Sequence, residues 1–243
     1  MKKFEGRAAL VANAASPVGR AIVKRLAADG ALVMAADADA AAVAKLAGGT
    51  VKTCVLSVTA LADWDRALAA TVDAFKRLDI LVTIATAKYA KPKPIAETSL
   101  EEFRAVNAQN LEGAFLGVKS GIMKMRALGN GGAVVNVASV FATRGLAGQA
   151  AYAASSNGVR MMTRAAALSC ADAKDRIRVN AVQVGLIEGA PEAEIVPAIP
   201  ASLALAMRGS TEDVAAAVAF LASDQASYIT GYVLPVDGGL MAA

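Results

Sequence analysis

Seven short apolar runs, rich in β-branched residues, are spaced along the chain and separated by alanine-rich stretches of helical periodicity. "RAALVA" (7–12) precedes a predicted helix near 18–29, and "ALVMAAD" (31–37) precedes one near 38–46. "VKTCVLSV" (51–58) leads to a helix near 60–77, and "DILVTIA" (79–85) leads through a lysine-bearing loop to a long helix from about 99 to 126. "GAVVNVAS" (132–139) introduces a helix carrying Tyr152. "IRVNAVQV" (177–184) is followed by a proline-broken segment and a helix near 212–222, and "YVLPVDGG" (232–239) supplies a last strand. Strands that are apolar throughout and alternate with helices predict a parallel sheet covered on both faces. In such sheets ligands sit at the carboxyl ends of the strands, near a topological switch point. The loops after 12, 37, 58, 85, 139 and 184 are therefore where chemistry belongs.

Two helices bear on assembly. The long one opens with "SLEE", in which Ser99 and Glu102 form a capping box. It carries Gly113, Gly117 and Gly121 at a spacing of four. Each glycine costs a helix about 1 kcal/mol relative to alanine, so three on one face point to a close backbone approach, either inside the fold or at a subunit contact. The Tyr152 helix is apolar nearly all round, and such a helix is buried on all sides. An outer helix of a sheet-and-helix domain achieves that most readily by oligomerisation.

Composition narrows the function. The 243 residues contain no linker, repeat or low-complexity tract beyond an excess of alanine, which favours one domain. Hydrophobic residues are 56% and aromatics only 5%, so Ala, Val, Leu and Met pack a large core. The net charge of +4 carries no block of like charge, which argues against a nucleic-acid face. The densest basic stretch, "KYAKPKP" with Lys88, Lys91 and Lys93, reads as a solvated loop or an anion contact. Glu5 and Arg7 interrupt the N-terminal stretch, so no signal peptide is expected. No run approaches the roughly 18 apolar residues of a membrane span. Cys54 and Cys170 stand far apart without a CxxC, as expected of reduced thiols in a cytoplasm. Histidine is absent, which excludes Ser-His-Asp and Cys-His catalysis and His-ligated metal sites within this chain. Chemistry falls to Tyr, Ser, Lys, Arg or carboxylates, and no metal site is expected.

"AYAASSNGV" (151–159) poses the sharpest question. Tyr152 and Ser156 stand at i and i+4, one turn apart on one helix face. A tyrosine used for proton transfer wants a cation there, because an ordinary phenol ionises near pH 10.

With these segments in order, the chain resembles a short-chain dehydrogenase/reductase over essentially its whole length. The likeness rests on "LVANAASPVGRAI", "LDILVTIA", "VNAQNLEGAF", "VVNVASV", "YAASSNGV", "IRVNAVQVG" and "YITGYVLPVDGG", seven segments in register. The nearest type is the small bacterial ketoacyl and alcohol reductases. The resemblance implies a single Rossmann-like doubly wound parallel sheet over 1–243, with helices on both faces, and a tetramer. It places Asn110 at the asparagine that holds a relay water, Ser139 at the serine that orients the substrate oxygen, and Tyr152 at the acid/base. The lysine implied at 156, which bonds the nicotinamide ribose and lowers the tyrosine pKa, is Ser156. Arg160 and Arg164, two and three turns on, are the obvious replacement cations.

The implied nucleotide site departs from the family too. The TGxxxGxG loop reads "ANAASPVG", with Asn13 and Pro17 at the first two glycines and only Gly19 kept. Proline offers no N–H, whereas asparagine tolerates the left-handed turn. Ser16, Val18, Gly19, Asp37, Val58 and Ala85 remain as the implied cofactor contacts. Asp37 fits a ribose-hydroxyl acceptor, selecting NAD over NADP; its alternative is a helix N-cap. Ser57 stands where an aspartate is implied beside adenine, and "TIAT" (Thr83 to Thr86) replaces NNAG. Val184-Gly185 replaces Pro-Gly, and Gly189, preceded by Glu188, replaces the carboxamide-binding threonine. The short span from Gly185 to "RGSTEDVA" implies an open substrate pocket.

Three readings follow. The first is a non-catalytic or weakly active pseudoenzyme with no or weak NAD(H) binding, assembled as a homo-tetramer or as a hetero-oligomer with an active homologous dehydrogenase. The second is an active NAD(H)-dependent alcohol dehydrogenase or ketone reductase using Ser139 and Tyr152. The third is a cofactor-independent Ser/Tyr lyase or dehalogenase-like enzyme, for which the implied arginine four residues after the tyrosine is missing.

Overall fold

Alternation of side chains along each strand explains the architecture. In β1 (Ala8–Ala12), Ala9 and Val11 join one apolar cluster, while Leu10 and Ala12 join another on the opposite face. The same division holds along β2 (Leu32–Asp37), β4 (Ile80–Ile84), β5 (Gly132–Ser139) and β6 (Ile177–Val184). A computed structural model describes residues 2–85, 92–189 and 203–242. Together with β3 (Val51–Val55) and β7 (Val233–Val236), the strands form one seven-stranded parallel sheet of order β3-β2-β1-β4-β5-β6-β7. One face packs α1 (Pro17–Ala28) and, from the far end of the chain, α8 (Thr211–Ala222). The other packs α3 (Leu61–Phe75), α5 (Gly113–Leu128) and α7 (Ala150–Ala173). Short helices α2 (Ala40–Ala44), α4 (Leu100–Asn107) and α6 (Phe141–Arg144) complete the α set among the described residues. The doubly wound sheet is therefore as expected, and its strand order reverses between β1 and β4.

Boundaries moved where side chains compete with the pattern. The third strand ends at Val55, because Leu56 and Val58 turn inward to bury and leave the sheet edge. The last strand ends at Val236, where the Asp237 carboxylate accepts the N–H groups of Gly239 and Met241 and closes a turn. The long helix of 99–126 is two α-helices joined by a π-helical turn, Ala108–Glu112. Ser99 and Glu102 form the capping box that starts α4. Lys93 pairs with Glu102, so its charge is neutralised within the chain; Lys88 and Lys91 lie outside the described residues.

The glycine stripe of α5 faces the interior. A Cβ on Gly117 would stand 2.5 Å from the Trp64 ring, one on Gly113 2.9 Å from Val58, and one on Gly121 2.4 Å from Leu81. The subunit-contact alternative for these glycines is set aside. The opposite side of α5 and the outer side of α7 do expose apolar groups: Phe115, Met123, Met161 and Leu168, the last at 68%. Within one chain the Tyr152 helix is thus not buried on all sides. No described helix is long and apolar enough to cross a membrane.

Cys54 on β3 packs against the face that holds α3, and its burial pushes the thiol up to about 11. Its native-state alkylation by iodoacetamide at pH 8 should be about a hundredfold slower than that of a free cysteine, because thiolate is the reactive form. Peptide mass spectrometry across pH should show labelling rising toward pH 11. The raised value also means that its contribution to stability is intact below pH 9 and declines as pH rises through 11.

Candidate functional site

The reversal of strand order opens a crevice at the carboxyl ends of β1 and β4. Asn13 follows β1 and adopts a left-handed φ of 54°, so the turn that a glycine would make is made by asparagine. Its amide Nδ2 donates to the Ile84 carbonyl across the crevice, at 2.6 Å. Gly19 is obligatory for the approach of α1, since a Cβ there would lie 2.4 Å from the Asn13 carbonyl. Ser16 caps α1: its hydroxyl accepts the Gly19 N–H and donates to Asn13 O. Pro17 takes the first helical position, where its missing N–H costs the helix nothing. For an anion at this helix end the consequence is larger. Pro17 has no donor and Gly19 gives its donor to Ser16, which leaves the N–H of Val18 among the first three residues of the helix.

Asp37 ends β2 at the same crevice. One carboxylate oxygen accepts Ala15 N–H at 2.9 Å and the other accepts Asp39 N–H at 3.0 Å. Asp39, not Asp37, caps α2 through Ala42 N–H. Asp37 thus props the loop after β1 and keeps lone pairs for further donors. Ser57 N–H is held by Asp63, and the Val58 carbonyl takes the Trp64 indole N–H at 2.8 Å. Ala85 N–H bonds the Val137 carbonyl and extends the β4–β5 pairing. Thr83 donates to Asn136, which donates to Thr163 on α7, a buried chain that ties two strands to the tyrosine-bearing helix. Thr86 lies outside the described residues.

The proposed reaction side gathers at the end of β5. Ser139 is its last residue, 1% exposed, and its hydroxyl accepts the Phe141 N–H, which fixes its orientation. Gln183 on β6 braces the same strand end through the Ser139 carbonyl and Thr143. Tyr152 lies in the first turn of α7 and is buried. Asn110, wholly buried in the π turn, donates to Ser155 Oγ at 3.0 Å, and Ser155 donates to the Tyr152 carbonyl. A π turn displaces helix backbone and recurs at functional positions; here it aims Asn110 at α7. Asn110, Ser139, Tyr152 and Ser156 are all buried in this region. The sequence reading missed Ser155 and Gln183; the signal for Ser155 was its i+3 spacing from Tyr152.

Ser156 is 0% exposed and its hydroxyl has no hydrogen-bond partner. Arg160 Nε, one further turn along, is also buried without a partner. Arg160 and Tyr152 are eight residues apart, about 12 Å along the helix axis. Arg164 is exposed and its Nη1 meets the Met161 sulfur, so it does not serve the site. Beyond β6, a Cβ on Gly185 would stand 2.5 Å from Asp237, so the chain requires glycine there. Glu188 is exposed, and residues 190–202 of the expected short lid lie outside the described residues.

Comparison with known proteins decides the family. Residues 11–241 match the family described as enoyl-(acyl carrier protein) reductase. The chain belongs to the short-chain dehydrogenase/reductase family. It is 35% identical to 2,5-dichloro-2,5-cyclohexadiene-1,4-diol dehydrogenase of Sphingobium indicum, over 98% of this chain and 97% of that one. It is 39% identical to cis-4-hydroxycyclohexanecarboxylate dehydrogenase of Sinomonas cyclohexanicum, over 98% of each. Among solved structures, the 3-ketoacyl-(acyl-carrier-protein) reductase of Brucella melitensis, complexed with NADH, superposes with a TM-score of 0.89 at 31% identity, covering 98% of this chain and 99% of that one. The residues of this short-chain dehydrogenase/reductase suit an NAD-type group at one end only. The left-handed Asn13 turn, Gly19, the Val18 N–H and the Asp37 carboxylate fit the adenosine end. The nicotinamide end has a partnerless buried hydroxyl where the family resemblance places an ammonium.

Proposed function

We propose that this short-chain dehydrogenase/reductase is a non-catalytic or weakly active member that serves as a subunit of an oxidoreductase assembly. The buried, partnerless Ser156 hydroxyl carries the reading. A hydroxyl supplies no charge to favour the phenolate of Tyr152, so Tyr152 can hand over a proton but is a poor general base. Fewer N–H donors at the start of α1 weaken the grip on a diphosphate. The uncovered apolar groups on α5 and α7 support assembly with copies of this chain or with an active homologue.

NADH titrated into the purified protein should give no calorimetric heat below about millimolar concentration, and cyclohexanol-type alcohols with NAD should show no sustained turnover. Micromolar NADH binding together with steady turnover overturns the proposal. The second reading, an active NAD(H)-dependent dehydrogenase or reductase, is favoured by one observation: the Asp37 carboxylate and the Asn13 turn keep the adenosine end in shape. An NAD-type group supplies the hydride when bound. Ser139 then orients the carbonyl oxygen and Tyr152 donates the proton, a direction that needs no phenolate.

A further inference from the structure

Four arginines meet at the opposite end of the sheet, where the strands begin. Arg7 precedes β1, Arg77 lies two residues before Asp79 at the start of β4, and Arg176 and Arg178 flank the first residue of β6. They are remote in sequence, but the order β1-β4-β5-β6 sets these strand starts side by side. With Asp79 and Asp224 they line a cavity of about 210 Å³.

Four guanidinium groups against two carboxylates leave two positive charges uncompensated in the cavity wall. Arg7 pairs with Asp224 at 2.5 Å, and Arg77 holds Asp79 with two bonds of 2.6 and 2.7 Å. Asp79 also accepts Ala8 N–H and the Asn130 amide, so it has little capacity left for another cation. The Arg176 guanidinium meets only the Gly129 carbonyl among the described residues. Arg178 meets the carbonyls of Leu221, Ser223 and Ile229, which ties the end of α8 to β6. That structural duty accounts for Arg178, and Asp224 and Asp79 account for Arg7 and Arg77, which leaves Arg176 without a carboxylate partner among the described residues. Burial and the neighbouring Arg7 both disfavour the Arg178 charge, and Asp224 offsets them in part. Cations gathered in a partly desolvated wall call for a counter-charge. The guanidinium fork matches the oxygens of phosphate and carboxylate. The volume falls below the roughly 300–1,000 Å³ of pockets for whole small molecules, which suits a compact polyoxygen anion.

We propose that this cavity binds a tetrahedral oxyanion, inorganic phosphate or the terminal phosphoryl group of a larger molecule, held by Arg176 with Arg7 and Arg178. The site is separate from the crevice at the carboxyl ends of the strands and does not depend on the catalytic reading.

Calorimetry at low ionic strength tests it on the full chain, with inorganic phosphate and phenyl phosphate as separate probes and sodium chloride at matched ionic strength as control. Arg176→Ala is the main variant because Arg176 is exposed and its loss should leave the fold intact, as circular dichroism will report; Arg176→Lys retains the charge without the fork. Arg20→Ala on α1, whose guanidinium bonds the Ala15 carbonyl in the loop after β1, separates the two ends. Phosphate should bind once per chain, weakened at least tenfold by Arg176→Ala and unchanged by Arg20→Ala. Equal binding of phenyl phosphate assigns the site to a phosphoryl-bearing molecule, and binding of phosphate alone assigns it to the free ion. Absence of phosphate binding, an equal response to chloride, or binding indifferent to Arg176→Ala overturns the proposal.

Discussion

Ser156→Lys is expected to raise NADH-dependent ketone reduction and NAD-dependent alcohol oxidation by roughly a hundredfold over the unaltered chain, the lower end of what positioned proton transfer contributes. The substitution would place an ammonium group one turn from Tyr152, on the same helix face. A nearby cation favours the phenolate, so oxidation should gain more than reduction, and its pH profile should show a limb below the range of an ordinary phenol. The partnerless Ser156 hydroxyl stands where the lysine stem would begin, with its nitrogen three bonds further out. NADH affinity measured on the same variant separates ribose binding from proton transfer: tighter binding with no gain in rate assigns the defect elsewhere. If the unaltered chain already turns over as fast as the variant, the serine is no impediment and the non-catalytic reading fails.

Trp64→Ala is expected to lower stability by about 3–5 kcal/mol, the range for removing a buried aromatic. For a domain of this size that corresponds to a fall in melting temperature of about 6–20 °C. Trp64 is fully buried, its ring fills the gap above Gly117, and its indole N–H satisfies the Val58 carbonyl. Val58 is one of the cofactor contacts the resemblance implies, so the variant should also disturb any adenosine binding that the unaltered chain shows. Differential scanning calorimetry with NADH titration reads both; a loss below 1 kcal/mol would show that the cavity collapses freely.

The sheet was legible in the sequence because its strands are apolar on both faces and its helices are not, a contrast set by local periodicity. Asn110, Ser139 and Tyr152 are proposed as reaction-side residues from spacing and resemblance, and Asp37 and Gly19 as cofactor contacts from their places after β2 and β1. Other facts depended on neighbours that are far away along the chain. Periodicity shows that three glycines share a face of α5, but only packing shows that the face meets Trp64, Val58 and Leu81 rather than another subunit. The π turn at Asn110 leaves no mark in hydrophobic spacing, since it shifts the helix by a single residue. The sequence leaves Asp37 as a ribose acceptor or a helix cap, and the path of the backbone gives the cap to Asp39 instead. That residue 156 is serine, where the resemblance implies a lysine, could be read directly from the letters. That its replacement is enclosed without a hydrogen bond, and that Arg164 turns outward, required the fold, because burial and partnership are properties of atoms brought together from distant segments.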